Sequence, residues 1–192
     1  ALQTSKTDLL GSIKDSAVAV GSIKELEDYE NLYSSLFSGH VILLIDGVTK
    51  GLTIGISGGN DRSVTEPTQE SVVRGPKEGF TETLRTNTAL IRRKINSPDL
   101  WIETKKIGRV TQTPVSIMYI NGIVNGEVLK EVKDRLSQIK IDAILESNYI
   151  EELIQDKAFS PFPTMYNTER PDVVSAGLLE GRVAILVNGT PF

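Results

Sequence analysis

From Glu25 to Phe37 the apolar side chains Leu26, Tyr29, Leu32, Tyr33, Leu36 and Phe37 recur three and four residues apart, a spacing that gathers them on one stripe of a helix. After Gly39 the pattern changes. Val41 to Ile45 is an unbroken apolar run and Asp46-Gly47 a turn pair, so a buried strand enters a hairpin whose return strand is Val48 to Ile56. Upstream, Leu2, Leu9, Leu10 and Ile13 stand among charges and predict a short surface helix, and Gly21 ends the segment that follows. Further along, Phe80, Leu84, Ile91 and Ile95 form the core stripe of a helix over Phe80 to Asn96, and Val128, Leu129, Val132, Leu136 and Ile139 that of a helix over Glu127 to Ile139. Leu100 to Val110 and Pro114 to Ile120 predict strands, the second with its proline at the start and Asn121-Gly122 at its end. Ile141 to Leu145 predicts another strand, Tyr149 to Ile154 a short helix, and Val173 to Leu179 a helix capped by Asp172 after the turn at Pro171.

One unit occurs twice. Gly181-Arg-Val-Ala-Ile-Leu-Val-Asn-Gly-Thr190 echoes Gly39-His-Val-Ile-Leu-Leu-Ile-Asp-Gly-Val48, with glycine, valine, apolar run and Asx-Gly turn at the same offsets. The second copy reaches Phe192 directly after its turn. Its return strand is therefore expected in sequence beyond this stretch, leaving Arg182 to Val187 as an unpaired edge. The strand, helix, strand order from Val115 to Leu145 suggests a parallel pair with a right-handed crossover, beside antiparallel hairpins. The expected class is α+β or α/β, with mixed β-sheets and packed helices in two small subdomains. Residues 1–96 with 181–192 form the first, around the Gly39–Val73 hairpin region. Residues 97–160 form the second, and 161–180 a connecting loop and helix.

Composition narrows the function more than the fold. With 192 residues, 39% hydrophobic and 24% charged, the chain has the makeup of an ordinary globular protein of one domain or two small ones. Its longest apolar runs, Val41 to Ile45 among them, are far short of the roughly 20 residues that span a bilayer. No basic start precedes an apolar segment in the manner of a signal peptide, and the opening Ala1 reads as a trimmed start. Without cysteine there is no disulfide, thiolate nucleophile or cysteine-based zinc site. The net charge of −4 is uneven: Arg74 to Arg109 holds nine basic and four acidic residues, an asymmetry that suits a solvated helix face or a surface meeting an acidic partner.

The candidate site is Arg74-Gly-Pro-Lys-Glu-Gly79 and the helix it opens. Glycines and a cation before a helix can cradle an anion on backbone N–H groups, but the Gly-Lys-Ser/Thr ending is missing, and Glu78 and Glu82 put negative charge where a phosphate would sit. A structural joint or a partner contact fits better, and the contact residues are then Arg74, Gly75, Pro76, Glu78, Gly79, Phe80, Glu82, Arg92 and Arg93. Arg92-Arg93-Lys94 also complements the dipole at the helix end. Nucleic acid is a poor partner, since no aromatic residues interleave with the basic ones and the pI is acidic. His40 is the only histidine, so neither a histidine metal cluster nor a Ser-His-Asp triad with a spare histidine can form, and no cofactor is called for. Phe159-Ser-Pro-Phe-Pro163 and Glu169-Arg-Pro-Asp172 read as a stiff loop joining the subdomains, or alternatively as one wall of a small-ligand cleft.

Three stretches, VVRGPKEGFTE, NTALIRRKI, and FSPFP followed by ERPDVVSAGLLEGRVAIL, resemble the N-terminal hydrophilic domain of the A subunit of bacterial spore germinant receptors. The resemblance covers nearly the whole chain, more loosely in the first thirty residues and from Ser57 to Asp61. It implies a non-enzymatic domain of a nutrient receptor in the inner membrane of Bacillus-type spores, working with B and C subunits in receptor assembly and signal coupling during germination. Self-association is a further implied contact, and the membrane part is expected beyond Phe192. A direct amino-acid or sugar germinant-binding domain is the alternative. The lack of a signal peptide and of cysteine tilts the expected location toward the spore-core side.

Overall fold

The computed structural model describes residues 23–55, 67, 70, 75–156 and 165–192. The expected helix over Leu2 to Ile13, Arg74 and the Phe159–Pro163 stretch lie outside them. The chain divides into two compact units, Ala1–Asn60 with Asn96–Pro98, and Asp61–Ile95 with Asp99–Phe192.

In the first unit, β1 (Ile23–Leu26), α1 (Tyr29–Phe37), β2 (Val41–Leu43) and β3 (Gly51–Ile54) follow in order, and the strands form an antiparallel sheet β1-β3-β2. The hairpin expected after Gly39 is β2 and β3, paired from Val41↔Ile54 to Leu43↔Leu52. The helix starts later than its apolar spacing suggests. Asp28 is its N-cap, with Oδ1 accepting from the Asn31 N–H at 2.7 Å, and Ile23–Leu26 instead takes the other edge of β3. No residue of α1 is buried: Tyr29, Tyr33 and Leu36 are 77%, 48% and 47% exposed. The helical period is real, but its stripe is not a core stripe in this unit.

In the second unit, α2 (Leu84–Lys94), β4 (Leu100–Ile107), β5 (Thr113–Ile120), α3 (Gly126–Gln138), α4 (Ser147–Ile154), α5 (Pro171–Leu179) and β6 (Ala184–Val187) build three layers around an antiparallel sheet β4-β5-β6. On one face Leu100, Met118, Ile120 and Leu186 pack with Leu84, Leu90, Ile91 and Leu178 of α2 and α5. On the other, Val115, Ile117, Tyr119 and Val187 pack with Leu136, Ile150 and Ile154 of α3 and α4. The central strand is covered on both sides, which is why Val115-Ser-Ile-Met-Tyr-Ile120 is buried throughout and reads as one nearly apolar run.

The α+β class stands, with three corrections to the expected topology. Both sheets are purely antiparallel rather than mixed. Ile141 to Leu145 is not a strand, because both edges of β5 are already taken by β4 and β6. That segment instead closes over the β4–β5 turn, where Arg109 N–H donates to Ile141 O, Val110 N–H to Asp142 O, and the Thr113 hydroxyl to Ile144 O at 2.6 Å. Residues 181–192 enter the second unit through β6, not the first. Ala184 and Leu186 face one core and Ile185 and Val187 the other, so β6 needs cover on two sides, which this three-layer unit supplies. Asp172 also lies inside the first turn of α5 instead of capping it, since Arg170 is the N-cap and Pro171 the first helical residue.

The internal echo is structural as well as sequential, and it extends back through a helix. α1 and α5 are both nine residues long. Each ends at a glycine with left-handed backbone, Gly39 at φ +83° and Gly181 at φ +87°. The closing hydrogen bonds match: His40 N–H to Ser35 O and Gly39 N–H to Leu36 O in the first copy, Arg182 N–H to Gly177 O and Gly181 N–H to Leu178 O in the second. After each strand a second left-handed glycine, Gly47 or Gly189, sits in a turn closed by Val48 N–H to Ile45 O or Thr190 N–H to Val187 O.

Candidate functional site

The stretch from Gly75 to Thr83 has no helix or strand of its own, and its path is set by contacts at several points within the second unit. Glu78 meets Lys94 of α2 at 2.9 Å. Phe80 is buried and its N–H donates to Glu169 O at 2.8 Å. Glu82 O accepts from Gly189 N–H at 2.7 Å, and Leu84 N–H donates to Asn188 Oδ1 at 3.2 Å. Between these, Asn87 is buried and turned back on the loop: its Oδ1 accepts from Thr81 N–H at 2.8 Å and its Nδ2 donates to Thr81 O at 2.5 Å.

This arrangement sorts the candidate residues. Gly79 and Phe80 are interior. Gly75, Pro76, Lys77, Glu82 and Arg93 are exposed, and Glu78 and Arg92 half-buried, so the loop and the end of α2 offer a largely polar ridge. Burial lowers the Arg92 pKa. The N–H groups of Phe80, Thr81, Thr83 and Leu84 are all engaged by the protein itself, which leaves the loop poorly equipped to cradle an anion. Among the described residues no group of three His, Asp or Glu side chains could hold a metal ion.

Asn87 is the residue that sequence reasoning missed. Its position carried a signal, because it falls three after Leu84 and four before Ile91, inside the apolar stripe of α2. A polar residue on a core stripe needs a buried partner, and Thr81 supplies one. The Glu169-Arg-Pro-Asp172 stretch is held by its own pair: Arg170 Nη2 meets Asp172 Oδ2 at 2.5 Å and Nε meets Oδ1 at 3.2 Å. Burial works against ionised Asp172, but Arg170 outweighs it and holds the carboxyl below its usual range.

A second feature of the same unit is an apolar groove of about 530 Å³ between α5, β6 and Met165–Thr168, with Phe192 in its lining. The Arg182–Glu180 pair, 3.0 Å apart, borders it.

On the face of the sheet covered by α3 and α4, Lys133 Nζ lies 2.6 Å from Glu103 Oε1 and 5.0 Å from the centre of the Tyr119 ring, while the Tyr119 hydroxyl donates to the same carboxylate oxygen. Hydrogen bonds from Lys133 and then Tyr119 hold the Glu103 pKa below its usual 4.5. A depressed carboxylate contributes stability that is complete above its unfolded pKa and is lost as pH falls through the folded one. Glu103→Gln is therefore expected to cost about 0.5–1 kcal/mol at neutral pH, a small figure because both partners are partly solvated. Urea titrations of the two proteins should converge in acid, below the folded pKa of Glu103. A gap that persists there would show that packing, not charge, holds this cluster.

Comparison with known proteins places these features in a family context. The sequence profile described as Bacillus/Clostridium GerA spore germination protein matches residues 2–192. Spore germination protein KA of Bacillus subtilis is 49% identical over 97% of the chain and 34% of its own length, and spore germination protein B1 of the same organism 47% identical over 90% and 35%. The chain thus spans about a third of the length of the curated relatives it matches. Another relative from that organism, 46% identical, is described as a membrane protein. Among the described residues here, no helix is long and apolar enough to cross a membrane. The crystal structure of the N-terminal domain of the A subunit of the Bacillus megaterium spore germinant receptor GerK3 is similar with a TM-score of 0.72 and 46% identity, over 96% of this chain and 66% of that one.

Proposed function

Because the chain belongs to the Bacillus/Clostridium GerA spore germination protein family, we propose that it is a non-catalytic assembly and coupling domain of a germinant receptor A subunit. In this reading it holds the B and C subunits in the receptor and passes a nutrient signal to the membrane part beyond Phe192. Its site is the inner membrane of the spore, with this domain on the core side. The observation that carries the reading is the Gly75–Thr83 loop: α2, the Thr168–Arg170 segment and the turn after β6 all fix it, yet it presents no nucleophile, metal set or free anion cradle. Such investment in the shape of an exposed polar ridge suits a protein contact.

Charge reversal on the ridge tests this. Lys77→Glu combined with Arg93→Glu leaves both cores untouched, since the two residues are exposed. Spores carrying the double variant are expected to lose co-purification of the B and C subunits and to germinate in nutrient no faster than spores lacking the A subunit. Normal assembly and a normal nutrient response together would end this reading.

A second reading, direct binding of an amino-acid or sugar germinant, is favoured by the apolar groove beside β6. It predicts saturable amide shifts at Val173, Val174 and Ile185 when the nutrient is titrated.

A further inference from the structure

We propose that the outer edge of β6 is a strand-docking site, filled in the full-length subunit by the residues that directly follow Phe192. Among the described residues β6 pairs with β5 alone, on one side. The apolar groove lies along its other side, for Arg182 to Leu186 line it and no residue of β5 does. Its walls include Val174, which packs on one face of the sheet, and Met165 and Ile185, which pack on the other. A strand lying there would be covered above and below, as β5 is.

The direction of the backbone groups fits such a strand. Asn188 N–H donates to Pro114 O, so by the alternation of an antiparallel ladder the amides of Leu186 and Ala184 also point at β5. Those of Ile185 and Val187 point the other way, toward the groove side. An extended segment there completes the ladder in the manner of an added strand.

The identity of the occupant comes from the first copy of the repeated unit. There the left-handed glycine turn is followed at once by β3, which runs back antiparallel along β2. In the second copy the turn ends at Thr190 and Phe192 already lines the groove. Since β5 occupies one edge of β6, the returning chain has only the other. Relatives of this family are about three times longer than the chain, so residues are there to fill it. Carrying over the register that pairs Ile42 with Thr53 sets Ala184 opposite the third residue after Phe192. With both faces covered, the occupant should be a short run of mostly apolar residues.

Hydrogen–deuterium exchange resolved to single amides, comparing full-length subunit in detergent with the chain ending at Phe192, tests the proposal. The Ile185 amide is expected to exchange at least about tenfold more slowly in the full-length protein, while Leu186, bonded to β5 in both, serves as the control. As the chain has no cysteine, Ala184→Cys combined with a cysteine at the third position after Phe192 should also form an intrachain disulfide on mild oxidation. Equal Ile185 exchange in the two proteins, with no disulfide, overturns the proposal. Protection of Ile185 in the shorter chain that rises with protein concentration overturns it in favour of edge pairing between copies. Protection in the full-length protein that appears only on adding amino acids or sugars overturns it in favour of a nutrient.

Discussion

Gly181→Ala is expected to destabilise the second unit by about 2–4 kcal/mol, whereas Gly39→Ala, at the equivalent helix end of the first unit, costs about 1–2 kcal/mol. Both glycines hold left-handed backbone, and a Cβ there carries a penalty of roughly 1–2 kcal/mol by itself. The difference is space. A Cβ on Gly39 would meet nothing within 4 Å, but on Gly181 it would lie 2.8 Å from the backbone oxygen of Ile123. That oxygen cannot rotate away, and moving it disturbs the hydrogen bond from Asn125 N–H to Gly181 O and with it the start of α3, where Asn125 is the N-cap. Forced overpacking of this kind adds about 1–3 kcal/mol. The sole tryptophan, Trp101, lies in β4 of the second unit, so its fluorescence during urea unfolding reads the Gly181 effect directly. An unchanged midpoint for Gly181→Ala would sink the argument.

Asn87→Leu should cost about 2–4 kcal/mol even though it adds apolar surface to an apolar stripe. Leucine suits the helix and the core by size, but it strands the N–H and the carbonyl of Thr81 beside a buried position, and each unmade bond costs about 1–3 kcal/mol. The loop from Gly75 to Thr83 would lose the contact nearest its centre. Asn87→Asp keeps the acceptor and loses the donor, and it places a carboxylate where burial favours the neutral form. Its deficit should therefore shrink as the pH is lowered, when the protonated acid can donate to Thr81 O. Parallel melts at pH 7 and pH 5 check this, and a deficit that grows in acid would show that Thr81 is not the partner that matters.

Where one period dominated the sequence, the structure followed it. α2 and α3 lie within a few residues of their expected bounds because their apolar stripes face packed layers. β4 and β5 were legible because one alternates and the other is continuously apolar beside a proline. The failures share a cause. Ile23–Leu26 and Ile141–Leu145 are short and carry charges among their apolar residues, and whether such a segment becomes a strand depends on a free sheet edge, which local spacing does not encode. The edge of β3 was available to the first, and no edge of β5 to the second. The candidate loop could be found by composition, but not which of its residues face inward. Phe80 and Gly79 are interior because Glu169, far away in sequence, takes the Phe80 N–H.

The two units also differ in how long each must wait to become whole. The three strands of the first sheet lie between Ile23 and Ile54, so all its pairings are local. The second core joins Phe80, Leu90 and Ile91 to Leu178 and Leu186, across about half the chain. During synthesis, at roughly 5–20 residues per second, α2 and the β4–β5 hairpin therefore spend several seconds with an uncovered apolar face. Long-range closure of this kind slows folding. The second unit is thus the one that needs shielding on the ribosome, and the late arrival of α5 and β6 sets the earliest moment at which its core can close.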